Sequence, residues 1–278
     1  MRQSYYLFSL IMALLVLMPN KVSGRDIILT RTENMESNNQ KMIVEVWSDI
    51  MCPFCYIGKR HYEAALKQFA NREYIELVWK SYQLDPSTPE HFDHKVNAYQ
   101  YLADKKGMSY EQSISLHKNV VQMASKAGLD YNFDLVVVAN SFKAHRIIQL
   151  AKTKNLGDYA EEIFFKSHFI DGGDLNDEKT LYALGNQIGL SDTEVKEALG
   201  SDEYAYKVKQ DIQEAQNIGV RGVPFFVFNR KYAVSGAQPV ASFLETIETA
   251  YAEWRKDHPI VSLQVTEGPS CSTDGVCE

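Results

Sequence analysis

Two stretches that read as β-structure are held apart by a long block that reads as helix, and this order limits the folds open to the chain. Residues 42–47 (MIVEVW) are rich in β-branched side chains and read as a buried strand. A helix is predicted over residues 53–70, opened by Pro53, whose fixed φ suits a first helical position, with Ile57, Ala64, Ala65 and Phe69 along its apolar face. Residues 74–84 (YIELVWKSYQL) alternate Ile75, Leu77 and Trp79 with Glu76, Val78 and Lys80, a second strand. Asp85-Pro86 and Thr88-Pro89 then break the chain.

Residues 98–217 read as helical almost throughout. Tyr110, Ile114, His117, Val121 and Ala124 recur at helical spacing, as do Leu181, Leu184 and Ile188, and later Tyr204, Val208, Ile212 and Ala215. Gly107, Gly128, Gly157, Gly172-Gly173 and Gly189 punctuate the block as caps or turns. Residues 225–228 (FFVF) follow Gly222-Val223-Pro224 as a third strand, residues 232–235 as its hairpin partner, and a last helix carries Phe243, Leu244, Ile247, Tyr251 and Trp254. The result is a βαβ unit and a ββα unit whose sheet halves must meet across the insertion, because neither half can bury its apolar face alone. Residues 42–95 and 218–256 thus form two parts of one α/β domain, residues 96–217 an inserted all-helical domain, and residues 257–278 a tail.

The segment Cys52-Pro53-Phe54-Cys55 lies between the first strand and the first helix. A helix start aims free N–H groups and the positive end of the helix dipole at the first sulfur, which favours thiolate. Two intervening residues bring the second sulfur into bonding range on the same turn. Cys52 is therefore expected to be an exposed nucleophile of low pKa and Cys55 an inner, resolving thiol. A zinc site would want two more soft ligands nearby; the other cysteines, Cys271 and Cys277, are distant and spaced with five residues between them. A proline directly before a buried strand suits a cis peptide, so Val223-Pro224 is expected to turn beside the dithiol and hold an extended substrate by strand-like hydrogen bonds, with Pro53 and Phe54 on the same face.

The stretch VEVWSDIMCPFCYIGKRHYE, the later NSFKAHRI and the segment GVRGVPFFVF resemble the FrnE-type branch of the DsbA-like thioredoxin family. The resemblance spans residues 42–254 and implies a thioredoxin fold with an inserted helical domain and thiol–disulfide oxidoreductase activity. It matches Cys52 to the attacking cysteine, Cys55 to the resolving one and Pro224 to the cis-proline, and implies that Asn140 and His145 face the dithiol and its substrate or glutathione. The superfamily also contains glutathione-dependent 2-hydroxychromene-2-carboxylate isomerases and kappa-class glutathione transferases, the alternative function; these carry serine where this chain has Cys52. Where DsbA itself usually has histidine, this chain has Phe54, which donates neither charge nor hydrogen bond, so a milder oxidant is expected. Some FrnE-type relatives carry a second cysteine pair near the C-terminus with four intervening residues; Cys271 and Cys277 are read here as a local disulfide staple or an auxiliary redox relay.

The other motifs have simpler readings. Asn140 suits a helix N-cap. Tyr99, Tyr101, Tyr110, Tyr131 and Tyr159 are core or partial-surface aromatics that double as candidates for gripping unfolded peptide. Lys59-Arg60 reads as a solvated helix face, and Asp171-Gly172-Gly173-Asp174 as a turn, since it lacks calcium-site spacing.

With 29 basic and 36 acidic residues the chain carries a net charge of −7, which gives no footprint for nucleic acid or an anionic membrane. Arg2, an apolar run over residues 5–18 and Val22-Ser23-Gly24 form the parts of a signal peptide over residues 1–24, too short for a stable membrane anchor, followed by a linker over residues 25–41. This predicts export to the periplasm or medium; an internal start at Met35 or Met42 predicts a cytoplasmic protein. The chemistry requires no metal or nucleotide, glutathione is a candidate co-substrate, and the expected partners are thiol- or disulfide-containing proteins or small molecules and a redox recycling partner.

Overall fold

A computed structural model of the chain describes residues 40–93 and 96–260. The signal, most of the linker, and Cys271 and Cys277 lie outside the described residues.

Strand β1 (Met42–Ser48) runs into helix α1 (Pro53–Gln68), and strand β2 (Ile75–Ser81) returns beside β1. Their pairing is parallel, with Val44 opposite Leu77 and Val46 opposite Trp79. Strands β3 (Phe225–Phe228) and β4 (Tyr232–Ser235) form the expected hairpin. β3 lies antiparallel to β1, with Val46 opposite Phe226, so the sheet order is β2-β1-β3-β4. The final helix, α9 (Val240–Asp257), packs with α1 against the sheet. Tyr62 of α1, Phe226 of β3 and Phe243 of α9 meet there at ring separations of 4.8–6.1 Å. Each fully buried ring or aliphatic side chain adds about 1.5–3 kcal/mol.

The insertion contains α2 (Ala98–Lys106), α3 (Tyr110–Lys126), α4 (Phe142–Thr153), α5 (Gly157–Lys166), α6 (Glu178–Ile188), α7 (Asp192–Gly200) and α8 (Asp202–Asn217). Capping follows the sequence: Ser109 and Ser191 form capping boxes with Gln112 and Glu194, and Gly107 and Gly189 close their helices in the left-handed region. The helical reading fails over residues 127–141, which contain no helix. Gly128 (φ 76°) ends α3, and Leu129, Tyr131 and Phe133 are then buried in alternation with exposed Asp130, Asn132 and Asp134. That is a period of two up to a turn over residues 133–135, and the Asn132 amide donates to the Phe169 carbonyl (2.8 Å). Two face assignments also change. Tyr110 is exposed while Ser113 faces inward, and α8 buries Asp211 where Ile212 was expected. Asp211 accepts the Ser81 amide (3.0 Å) and Gln149 (2.6 Å), which satisfies the buried carboxylate.

Residues 40–259 form one compact unit that includes the insertion. No helix among the described residues is long and apolar enough to cross a membrane.

Candidate active site

The loop between β1 and α1 is fixed before the first cysteine is reached. The Cys52 amide donates to the Asp49 carbonyl (2.9 Å), leaving Cys52 extended at the N-cap and Pro53 at the first turn, where a missing N–H costs nothing. The Asp49 carboxylate accepts the Met51 amide at Oδ1 (3.1 Å) and the Leu84 amide at Oδ2 (2.7 Å), tying the loop to the end of β2. From the insertion, the Tyr131 hydroxyl donates to the Pro53 carbonyl (2.7 Å). Neither Asp49 nor Tyr131 was singled out as a site residue in this role; the only hint for Tyr131 was the two-residue period missed above.

Val223 and Pro224 arrive from the other half of the sheet. Their peptide is cis, and the Cys52 thiol donates to the Val223 carbonyl across 3.4 Å. Two segments 171 residues apart in the chain thus meet at one sulfur. The sequence predicts an exposed Cys52, and here the structure differs. Cys52 is only 3% exposed, because the Val223 carbonyl lies over it and half-buried Met51 and Val223 pack at the edge of its apolar cluster. Phe54 is 37% exposed, so the motif meets solvent through the Phe54 ring. Cys55 is fully buried, as expected of the inner thiol. Burial first, and then the neighbouring Cys52 sulfur, push its pKa well above the ordinary thiol value, against opposing contacts from the Asp49 backbone and the Ser48 hydroxyl.

Gly58, one turn into α1, lets the helix approach Pro224. A Cβ there would stand 2.9 Å from Pro224 Cγ and 3.5 Å from Phe226 Cε2. Gly58→Ala should therefore pit a helix-propensity gain of about 1 kcal/mol against an overpacking cost of about 1–3 kcal/mol. The expected result is a lower Tm together with a displaced Pro224. An unchanged Tm would contradict this packing.

His145 reaches the same loop from α4. It is fully buried, and its Nε2 lies 3.5 Å from Asp49 Oδ1, an ion-pair separation without hydrogen-bond geometry. Burial would raise the Asp49 carboxyl, but His145 and the Leu84 and Met51 amides outweigh it and hold the group below its ordinary value. Asn140 is not brought to the dithiol. Ser141, not Asn140, occupies the N-cap of α4; Asn140 accepts the Phe142 amide (2.9 Å) and donates to the Thr88 carbonyl (2.7 Å), a strut between loops. Lys59 corrects another expectation. It is 2% exposed and paired with Glu63, Asp158 (3.3 Å) and Glu162 (3.2 Å), so its charge joins α1 to α5 instead of facing water. Among the tyrosines, Tyr131 is buried beside the motif, Tyr99 and Tyr101 bond Asp134 and Asp85, and Tyr110 and Tyr159 are exposed.

Residues 43–248 match the family described as the DSBA-like thioredoxin domain. The chain belongs to the DsbA-like thioredoxin family. Its fold is similar to the crystal structure of a probable DsbA oxidoreductase from Streptomyces coelicolor, with TM-score 0.72 and 35% identity over 85% of this chain and 98% of that one. The uncharacterized protein YwbO of Bacillus subtilis is 28% identical over 188 residues, covering 66% of this chain and 85% of that protein. A 2-hydroxychromene-2-carboxylate isomerase shares the fold at TM-score 0.54 and 15% identity, over 80% of this chain and all of the other. The strand order and the βαβ and ββα halves are those the sequence predicts for a thioredoxin fold with a helical insertion.

Proposed function

We propose that this DsbA-like protein is a thiol–disulfide oxidoreductase of the FrnE-type branch, with Cys52 as attacking sulfur and Cys55 as resolving sulfur. The observation that carries the reading is the position of Cys52 at a helix start, with the Val223 carbonyl 3.4 Å from its sulfur. In the reducing direction the Cys52 thiolate attacks a disulfide, forming one S–S bond to the substrate and releasing one substrate thiolate. Cys55 then loses its proton and attacks Cys52, releasing the second thiolate and leaving a Cys52–Cys55 disulfide. The oxidising direction is the reverse. Pro53, Phe54, Val223 and Pro224 border the sulfur and are the proposed substrate contacts, with His145 supporting the loop through Asp49. Protein thiols, or small thiols with glutathione as co-substrate, are the proposed reactants, and a separate redox partner recycles the pair. An export signal over residues 1–24 would place the chemistry in an oxidising compartment and favour oxidation or isomerisation; an internal start at Met35 or Met42 would favour reduction in the cytosol.

The test is a titration of the full chain in glutathione redox buffers, read by intact mass. A single two-electron transition is expected, at a potential below the about −120 mV of the strong oxidant DsbA, because Phe54 offers the thiolate no donor. A dithiol that does not respond to the buffer would overturn the proposal. Glutathione-dependent turnover of a small aromatic substrate that survives Cys55→Ser would support the isomerase-type alternative.

A further inference from the structure

A cavity of about 490 Å³ lies against the dithiol loop, on a wall formed by Asp49, Met51 and Pro53. Phe133, Val136 and His168 of the insertion line the other sides. Its size falls within the range of pockets that enclose a small organic group. Met51 and Pro53 flank Cys52 in the chain, so the cavity borders the residues on either side of the reacting cysteine.

The polar groups on its surface narrow the occupant. His168 is 3% exposed, and its Nδ1 has no hydrogen-bond partner, so no protein group fixes its tautomer. Burial pushes its pKa down to about 4, which keeps the ring neutral near pH 7. Asp49 accepts the Met51 amide at Oδ1 and the Leu84 amide at Oδ2, with His145 Nε2 3.5 Å from Oδ1. Its buried negative charge disfavours a second anion. At the rim, Lys105 is paired with Asp85 (2.7 Å), which also accepts the Tyr101 hydroxyl (2.6 Å), and exposed Lys106 lines the same rim. A largely apolar chamber with a neutral imidazole unpartnered at Nδ1 is suited to a neutral ring that carries one O–H or N–H donor.

We propose that this cavity is a specificity pocket for a donor-bearing aromatic side chain, a phenol or an indole, next to the reacting cysteine of a polypeptide substrate. The proposal rests on the thiol–disulfide reading above and adds a substrate class to it. His168 and Val136 are then specificity-determining residues that take no part in sulfur exchange.

The experiment compares kcat/KM for reduction of disulfide peptides that are identical except for Tyr, Phe, Gly or Asp beside the cysteine. Tyr should exceed Gly by at least about tenfold, Phe should fall between them and Asp should be lowest; one satisfied donor is commonly a factor of about 10. Val136→Trp, which fills the cavity, should level the peptides while leaving the glutathione equilibrium of the dithiol unchanged. His168→Leu should erase the Tyr-over-Phe margin alone. If Val136→Trp does not fold, competition on the wild-type chain decides: N-acetyltyrosinamide should inhibit turnover of the Tyr peptide and spare reduction of glutathione disulfide. Equal rates for all four peptides, or no inhibition at millimolar N-acetyltyrosinamide, would overturn the pocket. Failure of the dithiol to react with glutathione would overturn the oxidoreductase reading instead, so the two failures are distinct.

Discussion

Cys55→Ser is expected to accumulate a covalent adduct between Cys52 and its substrate, whereas Cys52→Ser should form no adduct and lose turnover by about three orders of magnitude or more, the scale of removing a nucleophile. The asymmetry follows from where the sulfurs sit. Cys52 occupies the N-cap of α1 with its sulfur against the Val223 carbonyl, and the adjoining Phe54 ring meets solvent. Cys55 is fully buried, with its thiol held well above the ordinary value by that burial and by Cys52, so it cannot serve as a first attacker. On the proposed mechanism it acts only after Cys52 has formed the mixed disulfide. Intact mass under non-reducing conditions, with an insulin-reduction rate for each variant, reads both halves of the prediction. Comparable activity in wild type and Cys52→Ser would remove Cys52 from the chemistry.

Stability should fall as pH rises from about 6.5 to about 8, and Glu161→Gln should flatten that decline; below 6.5 His168, buried and pushed down to about 4, adds stability with rising pH and opposes it. Glu161 of α5 is 1% exposed and its Oε2 has no partner. Burial, with Asp158 and Asp49 nearby, raises its carboxyl to about 8 despite the opposing charges of Lys152 and Lys59. The unfolded chain releases this proton near the ordinary value of 4.5, so between the two values the native state binds one proton more and loses about 1.4 kcal/mol per pH unit. Over the whole interval the loss is several kcal/mol, a large share of a typical domain's stability. Asp49 has the opposite sign: its lowered carboxyl contributes above 3.8 and loses its contribution as pH falls through the folded value. Glu161 and His168 oppose each other between 4.5 and 6.5, so with Asp49 they leave the decline to the range above about 6.5. Urea midpoints at pH 5 and pH 9 should show little difference between wild type and Glu161→Gln at the lower pH and a more stable variant at the higher. Parallel pH slopes would refute the assignment.

The strands, the dithiol helix and the β3–β4 hairpin were legible because each rests on local signals: β-branched runs, Pro53 and the Phe225–Phe228 cluster. Placing Pro224 beside Cys52 required two distant segments, and the topology supplied that link. What was missed depends on tertiary packing. Lys59 looks like any charged helix residue until Asp158 and Glu162 close over it. Asn140 bonds the first amide of α4, as a capping side chain would, but its Nδ2 is also spent on the Thr88 carbonyl, a long-range tie with no local signal. Residues 127–141 carry their alternation openly, but the helical surroundings masked it. The depth of Cys52 had no signature in the sequence at all.

Synthesis order gives the sheet a further property. β1 is the second strand of four, yet one of its two neighbours, β3, is made only after the entire helical block. A growing chain that stops before Phe225 has therefore completed the cysteine motif while one edge of β1 still offers unsatisfied amides and carbonyls to any passing strand. Nascent chains of that length should be open to proteolysis and to capture by holding chaperones, and the hazard should end abruptly once the hairpin leaves the ribosome.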